Sequence, residues 1–134
     1  MTKFITPLAL DAALGYVAER ADLMVLCSAA PGDYTEAATA VSASGRRIAA
    51  GPVVTGLGNG AFALATTPDG GRKLIVERTS SILGEEAGTA THVALLDTAG
   101  TALLLVTELA EPFAIGVGQN ATIEAFEDAI AAPV

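Results

Sequence analysis

Thr91 to Val106, THVALLDTAGTALLLV, is the stretch that decides the fold. Two apolar runs, His92–Leu96 and Thr101–Val106, flank Asp97-Thr98-Ala99-Gly100. That is the pattern of a β-hairpin with loop Thr98-Ala99-Gly100, entered by Asp97, with Gly100 expected in the left-handed position that penalises a Cβ. Both runs are apolar at consecutive positions, as in strands covered on both faces. The hairpin is therefore expected at the centre of a sheet.

Working outward, Leu23–Cys27 (LMVLC) reads as a short buried strand. Pro31-Gly32-Asp33 reads as a turn, and Thr35–Ala38 as one helical turn or loop. Thr6-Pro7 followed by LALDAALGYVAER predicts a helix. Thr6 would cap it and Pro7 would open it, where a missing N–H costs nothing. Leu10, Leu14 and Val17 form one stripe, and Asp11 and Arg20 suit the helix dipole. Gly15 weakens the helix interior, which suggests close packing there.

Beyond Ala40 the pattern is less regular. Ile48 and Val53-Val54 suggest short strands broken by Gly51-Pro52. Ala61–Thr66 and Arg72–Arg78 read as strands joined by the turn Pro68-Asp69-Gly70-Gly71. In the second, Leu74 and Val76 face one way, Lys73, Ile75 and Glu77 the other. Thr79–Gly84 leads into a polar break at Glu85–Gly88. After the hairpin, Glu108–Pro112 reads as a connection and Phe113–Val117 as a short strand. Ala121–Ile130 suits a final strand, with a short amphipathic helix as the competing reading. Seven or eight short strands with Gly and Pro turns give the fold class: mainly β, a β-sandwich or barrel-like domain with one N-terminal α-helix. At 134 residues a single domain, 1–134, is expected.

Composition narrows the function. Hydrophobic residues make up 51 % and charged ones 16 %, too apolar for disorder and short of polar cover for a lone domain. Residues 1–78 carry seven acids and seven bases, so the net charge of −8 falls entirely on residues 79–134. Such a surface repels nucleic acid and anionic lipid. Arg46-Arg47 and Arg72-Lys73 are the only basic pairs, and they read as solvated loop charges. No apolar run is long enough to span a bilayer and no secretion signal is seen, so no membrane partner and synthesis in the cytoplasm are expected.

Catalytic chemistry is thin. His92 and Cys27 are the only histidine and cysteine, too few for a His/Cys metal site. Cys27 reads as a small buried hydrophobe and His92 as a hydrogen-bonded structural residue. No GxSxG elbow accompanies them. Glu85-Glu86 and Glu127-Asp128 are adjacent in sequence, so on a strand each pair would split between two faces. GLGNGA at Gly56–Ala61 lacks the Lys-Ser/Thr of a phosphate loop and reads as a turn. No catalytic, cofactor-binding or metal-binding residue is therefore assigned, and an enzyme is not expected.

Three blocks, LALDAALGYVAERADLMVLCSAAPGDYTEA, GTATHVALLDTAGTALLLVTEL and IGVGQNATIEAFEDAI, resemble a family of small virion proteins of tailed double-stranded DNA phages. THVALLD and the G-x-x-x-x-I-x-A-F pattern from Gly118 to Phe126 carry the likeness best; residues 40–80 match nothing. The resemblance implies a non-enzymatic virion component, foremost a head decoration (cement) protein on the capsid exterior. It would bind the major capsid protein and self-associate as a trimer or dimer, without cofactors. A tail or head-completion protein is the alternative, and a small hydrolase or ligand-binding protein a remote one.

Overall fold

The computed structural model describes residues 7–130. Its secondary structure is mainly β, with an N-terminal helix and two antiparallel sheets, as the sequence class anticipates. The residues fall into two compact units, one built from the segments up to Arg20, Val54–Thr79 and from Glu124 on, the other from Ala21–Val53 and Ser80–Ile123.

The first unit holds helix α1 (Pro7–Arg20) and strands β3 (Phe62–Thr66), β4 (Arg72–Val76) and β9 (Phe126–Ile130), in sheet order β3-β4-β9. The capping residue expected at Thr6 lies outside the described residues. Within α1, Leu14 and Ala18 are buried, one turn apart on one face. Phe62, Leu74 and Val76 are buried on the sheet, and the alternation expected along Arg72–Val76 is observed. Asp11 pairs with Arg72 of β4, Oδ1 to Nε at 2.6 Å. Gly15 is buried, yet a Cβ there would meet its nearest neighbour, Leu57 Cδ1, at an ordinary 3.9 Å. Close packing therefore does not explain that glycine.

The second unit is a six-stranded sheet, in order β7-β6-β1-β2-β5-β8. Its strands are β1 (Leu23–Cys27), β2 (Arg47–Pro52), β5 (Thr79–Gly84), β6 (Gly88–Asp97), β7 (Ala102–Ile115) and β8 (Asn120–Ile123). The short helix α2 (Tyr34–Ala38) is capped by Asp33, whose side chain accepts from Glu36 N–H at 2.8 Å. Its Ala37, with Tyr34 and Ala38, packs on Val25, Cys27, Ala94 and Leu96. The intervening residues Met24, Leu26, Val93 and Leu95 point to the other face and are equally buried. β1 and the end of β6 are thus covered on both sides, as their unbroken apolar runs require.

Five expectations need correction. The hairpin is not the centre of the sheet: β6 lies next to the edge and β7 is the edge strand, half-buried over Ala102–Thr107. Its loop holds four residues, Thr98–Thr101, and the left-handed residue is Thr101, at φ 50°, not Gly100. Gly100 N–H instead donates to Asp97 Oδ1 at 3.0 Å. Gly51-Pro52 does not break a strand: β2 runs through both residues, and the missing Cβ of Gly51 makes room for Ser81 O of β5, which a Cβ would meet at 2.4 Å. Glu108–Pro112 is not a connection, because β7 continues to Ile115 with Leu109–Pro112 bulged opposite Thr91. The last expected strand is two, β8 and β9, in different sheets.

Candidate interaction surface

Register brings the scattered polar residues into one row. Cys27 of β1 stands opposite His92 of β6 and Arg47 of β2, and His92 stands opposite Glu108 of β7. Residues directly opposite on neighbouring strands share a face. Glu108, His92, Cys27 and Arg47, from four strands, therefore form one line across the sheet. The hairpin alone accounts for the His92–Glu108 pairing; the pairings of Cys27 and Arg47 depend on the strand order, which sequence spacing does not reveal.

The row does not have the chemistry of a nucleophile and base. Cys27 is completely buried, and burial pushes its thiol up to about 11, against the pull of Arg46 and Arg47. At neutral pH it is a protonated, inert thiol. His92 Nδ1 lies 2.8 Å from Thr91 Oγ1, which fixes the ring locally. Arg47 is committed to Glu85 through two contacts, Nε to Oε1 at 2.6 Å and Nη2 to Oε2 at 2.8 Å.

Glu85 and Glu86 lie in the connection between β5 and β6, off any strand, whereas Glu127 and Asp128 are neighbours on β9. Glu86 accepts from Ser42 N–H at 3.2 Å. Glu127 holds Lys73 Nζ at 3.0 Å, and Asp128 stands opposite Leu74 on β4. Among the described residues, no three His, Cys, Asp or Glu side chains gather in a way that would hold a metal ion. Gly56, Gly58 and Gly60 all have positive φ, and Gly58 N–H donates to Phe62 O at 3.0 Å, so GLGNGA is a turn leading into β3. No helix among the described residues is long and apolar enough to cross a membrane.

An open cleft of roughly 570 Å³ lies where the ends of the six-stranded sheet approach each other. Phe113, Ala114 and Ile115 of β7 line one side; Asn120, Ala121 and Thr122 of β8 line the other. Among the described residues each is the outermost strand of the sheet, with a hydrogen-bonded neighbour on its inner side only. The turn between them is clamped: Gly118 N–H donates to Gly84 O at 2.9 Å, and Gly84 N–H to Gln119 O at 2.8 Å. Gln119 Oε1 accepts from Gly116 N–H at 2.7 Å. A Cβ on Gly84 would meet Gly116 O at 2.1 Å, so only glycine permits this approach. Val117 rides on the turn with 71 % of its surface exposed. Sequence reasoning missed the cleft, because Gly116–Asn120 reads as an ordinary turn and nothing in it reveals that β7 and β8 are sheet edges.

Compared with family models, with curated proteins and with solved structures, the chain has no match.

Proposed function

We propose that the chain is a non-enzymatic structural protein of a tailed-phage virion, and within that class a decoration protein that cements the outside of the head. The observation that carries the reading is where the three phage-like blocks lie in the fold. The first spans most of α1, all of β1 and most of α2, the second the β6–β7 hairpin, and the third β8 and β9. Together they supply the contiguous strands β7-β6-β1 of the larger sheet. The likeness therefore follows the framework, as it does when a scaffold rather than a reactive centre is shared.

The physical properties fit a protein that works by contact. Apolar side chains stand exposed at Tyr16, Val41, Val54, Leu57, Leu83 and Val117. The larger unit has eight acids against Arg46 and Arg47, a balance of −6, which suits the outside of a shell better than contact with packaged DNA. A protein bridging several shell subunits binds the intact lattice more tightly than separated subunits and so stabilises it. The partners proposed are the major capsid protein and further copies of this chain, as a trimer or dimer.

Particles assembled with and without the protein test this. Heads lacking it should lose DNA at lower temperature and on osmotic shock, and complete particles should carry it at a copy number comparable to the major capsid protein. Equal resistance with and without it excludes cementing. A handful of copies confined to the tail or head–tail junction makes it a tail or head-completion protein instead.

A further inference from the structure

We propose that the cleft between β7 and β8 receives an extended, basic segment of a partner protein, which adds a strand to the open sheet; in the decoration reading, on which the partner's identity rests, that segment belongs to the shell protein. Three observations lead there.

The first is the pair of open edges. Phe113–Ile115 and Asn120–Thr122 face the same space, and among the described residues each strand has one neighbour. Unpaired strand edges are templates for another strand. A residue of an added strand fills a block of about 3.3 by 4.8 by 10 Å. The cleft, at roughly 570 Å³, thus holds three or four such residues, matching the three that each edge presents.

The second is that the receptor is already formed and bounded. The clamp between Gly84 and the turn fixes the spacing of the two edges before anything binds, which lowers the ordering cost of association. On β7 the segment is limited by Pro112, which has no N–H to donate, and by the four-residue bulge before Phe113. The part of the edge just before Phe113 is guarded by that bulge and by exposed Glu108 and Glu111, devices that discourage indiscriminate pairing. The last three residues of β7 lie beyond these devices, next to the exposed Val117.

The third is charge. Both arginines of this unit are engaged, Arg47 by Glu85 at 2.6 Å and Arg46 by Glu36 at 3.7 Å. The cleft lining is itself uncharged, so the unit's overall balance of −6 sets the long-range field, which favours a partner bearing Lys or Arg over a second copy of the same sign.

The test uses the full chain, labelled with ¹⁵N, and two capped peptides of about ten residues in which Val alternates with Lys in one and with Glu in the other. The lysine peptide should shift the amide resonances of 113–115 and 120–122 and slow their hydrogen exchange by about tenfold. Its binding should weaken as salt rises, and the glutamate peptide should leave both segments unchanged. Val117→Lys, at a site too exposed to disturb folding, should weaken the lysine peptide by about threefold or more. Absence of perturbation at these amides, equal binding of both peptides, or indifference to V117K overturns the proposal. So does sedimentation as a dimer with 113–115 already protected, which assigns the edge to self-association. Failure of the cementing reading is separate: particles equally stable without the protein leave the peptide result intact, whereas destabilised particles with a silent cleft remove the strand site alone.

Discussion

Arg47 and Glu85 grip each other through two parallel contacts, Nε to Oε1 at 2.6 Å and Nη2 to Oε2 at 2.8 Å. The pair ties β2 to the segment that follows β5, where Glu85 and Glu86 N–H both reach Ile48 O. The guanidinium holds the Glu85 carboxyl below its usual range, with partial burial opposing it. A depressed carboxylate contributes stability above its unfolded pKa and loses it as pH falls through the folded value. Glu85→Gln should therefore cost about 0.5–1 kcal/mol near neutral pH, a modest figure because the side chains are 24 % and 41 % exposed and water screens them. Urea titrations of both proteins should converge at acid pH. A constant difference would mean that the pair contributes through packing alone.

Cys27 predicts the opposite pH dependence. Its thiol is pushed from 9.0 to about 11 by burial, so the folded protein keeps a proton that the unfolded chain releases. Stability should fall as pH rises from about 9 to about 11, by on the order of 2 kcal/mol. Cys27→Ala should flatten that part of the curve. The native thiol should also resist alkylation at pH 8 until the protein is unfolded, and prompt labelling of native protein would contradict its burial.

Gly15 offers a gain. It lies inside α1 with ordinary space for a Cβ against Leu57, and alanine is the better helix former. Gly15→Ala should raise stability by about 0.5–1 kcal/mol, read as a higher melting temperature. A fall would show that the helix needs the glycine for a reason the local packing does not reveal.

The hairpin loop contains a residue in an unfavourable conformation. Thr101 is β-branched and sits at φ 50°, where such side chains are strained. Thr101→Gly should stabilise by about 0.5 kcal/mol, after allowing for the freer unfolded chain and the lost Thr101 hydroxyl bond to Gly100 O. Gly100→Val should destabilise for a different reason: its Cβ would stand 2.6 Å from Asp97 Oδ2 and displace the carboxylate that accepts Gly100 N–H. Equal melting temperatures for wild type and both variants would refute this loop geometry.

What the sequence reveals and what it hides follow from the range of the forces involved. Leu23–Cys27 is legible because five apolar residues in a row suit a strand buried on both faces, and Pro68–Gly71 is legible because turns are local chemistry. Thr79–Gly84 is obscure: TSSILG places only Ile82 and Gly84 inside, so its apolar signal is one side chain. Gly51-Pro52 resembles a break because the reason for the glycine, the backbone of Ser81, lies 30 positions away. The line of Glu108, His92, Cys27 and Arg47 and the cleft at Phe113 are obscure for the same cause. Both are products of strand order, which periodicity does not encode.

Neither unit is continuous along the chain, and this bears on how the protein emerges from the ribosome. β4 finds one of its two neighbours only when β9 arrives; Lys73 and Glu127, joined across them, are 54 positions apart. Synthesis at about 5–20 residues per second leaves β4 waiting several seconds with one edge bare. Contacts of such long range also slow the search for the native pairing. The small sheet is therefore a late event, completed after the last strand is translated. The larger sheet can assemble earlier, once Ile123 has been made, since its six strands all lie before that point.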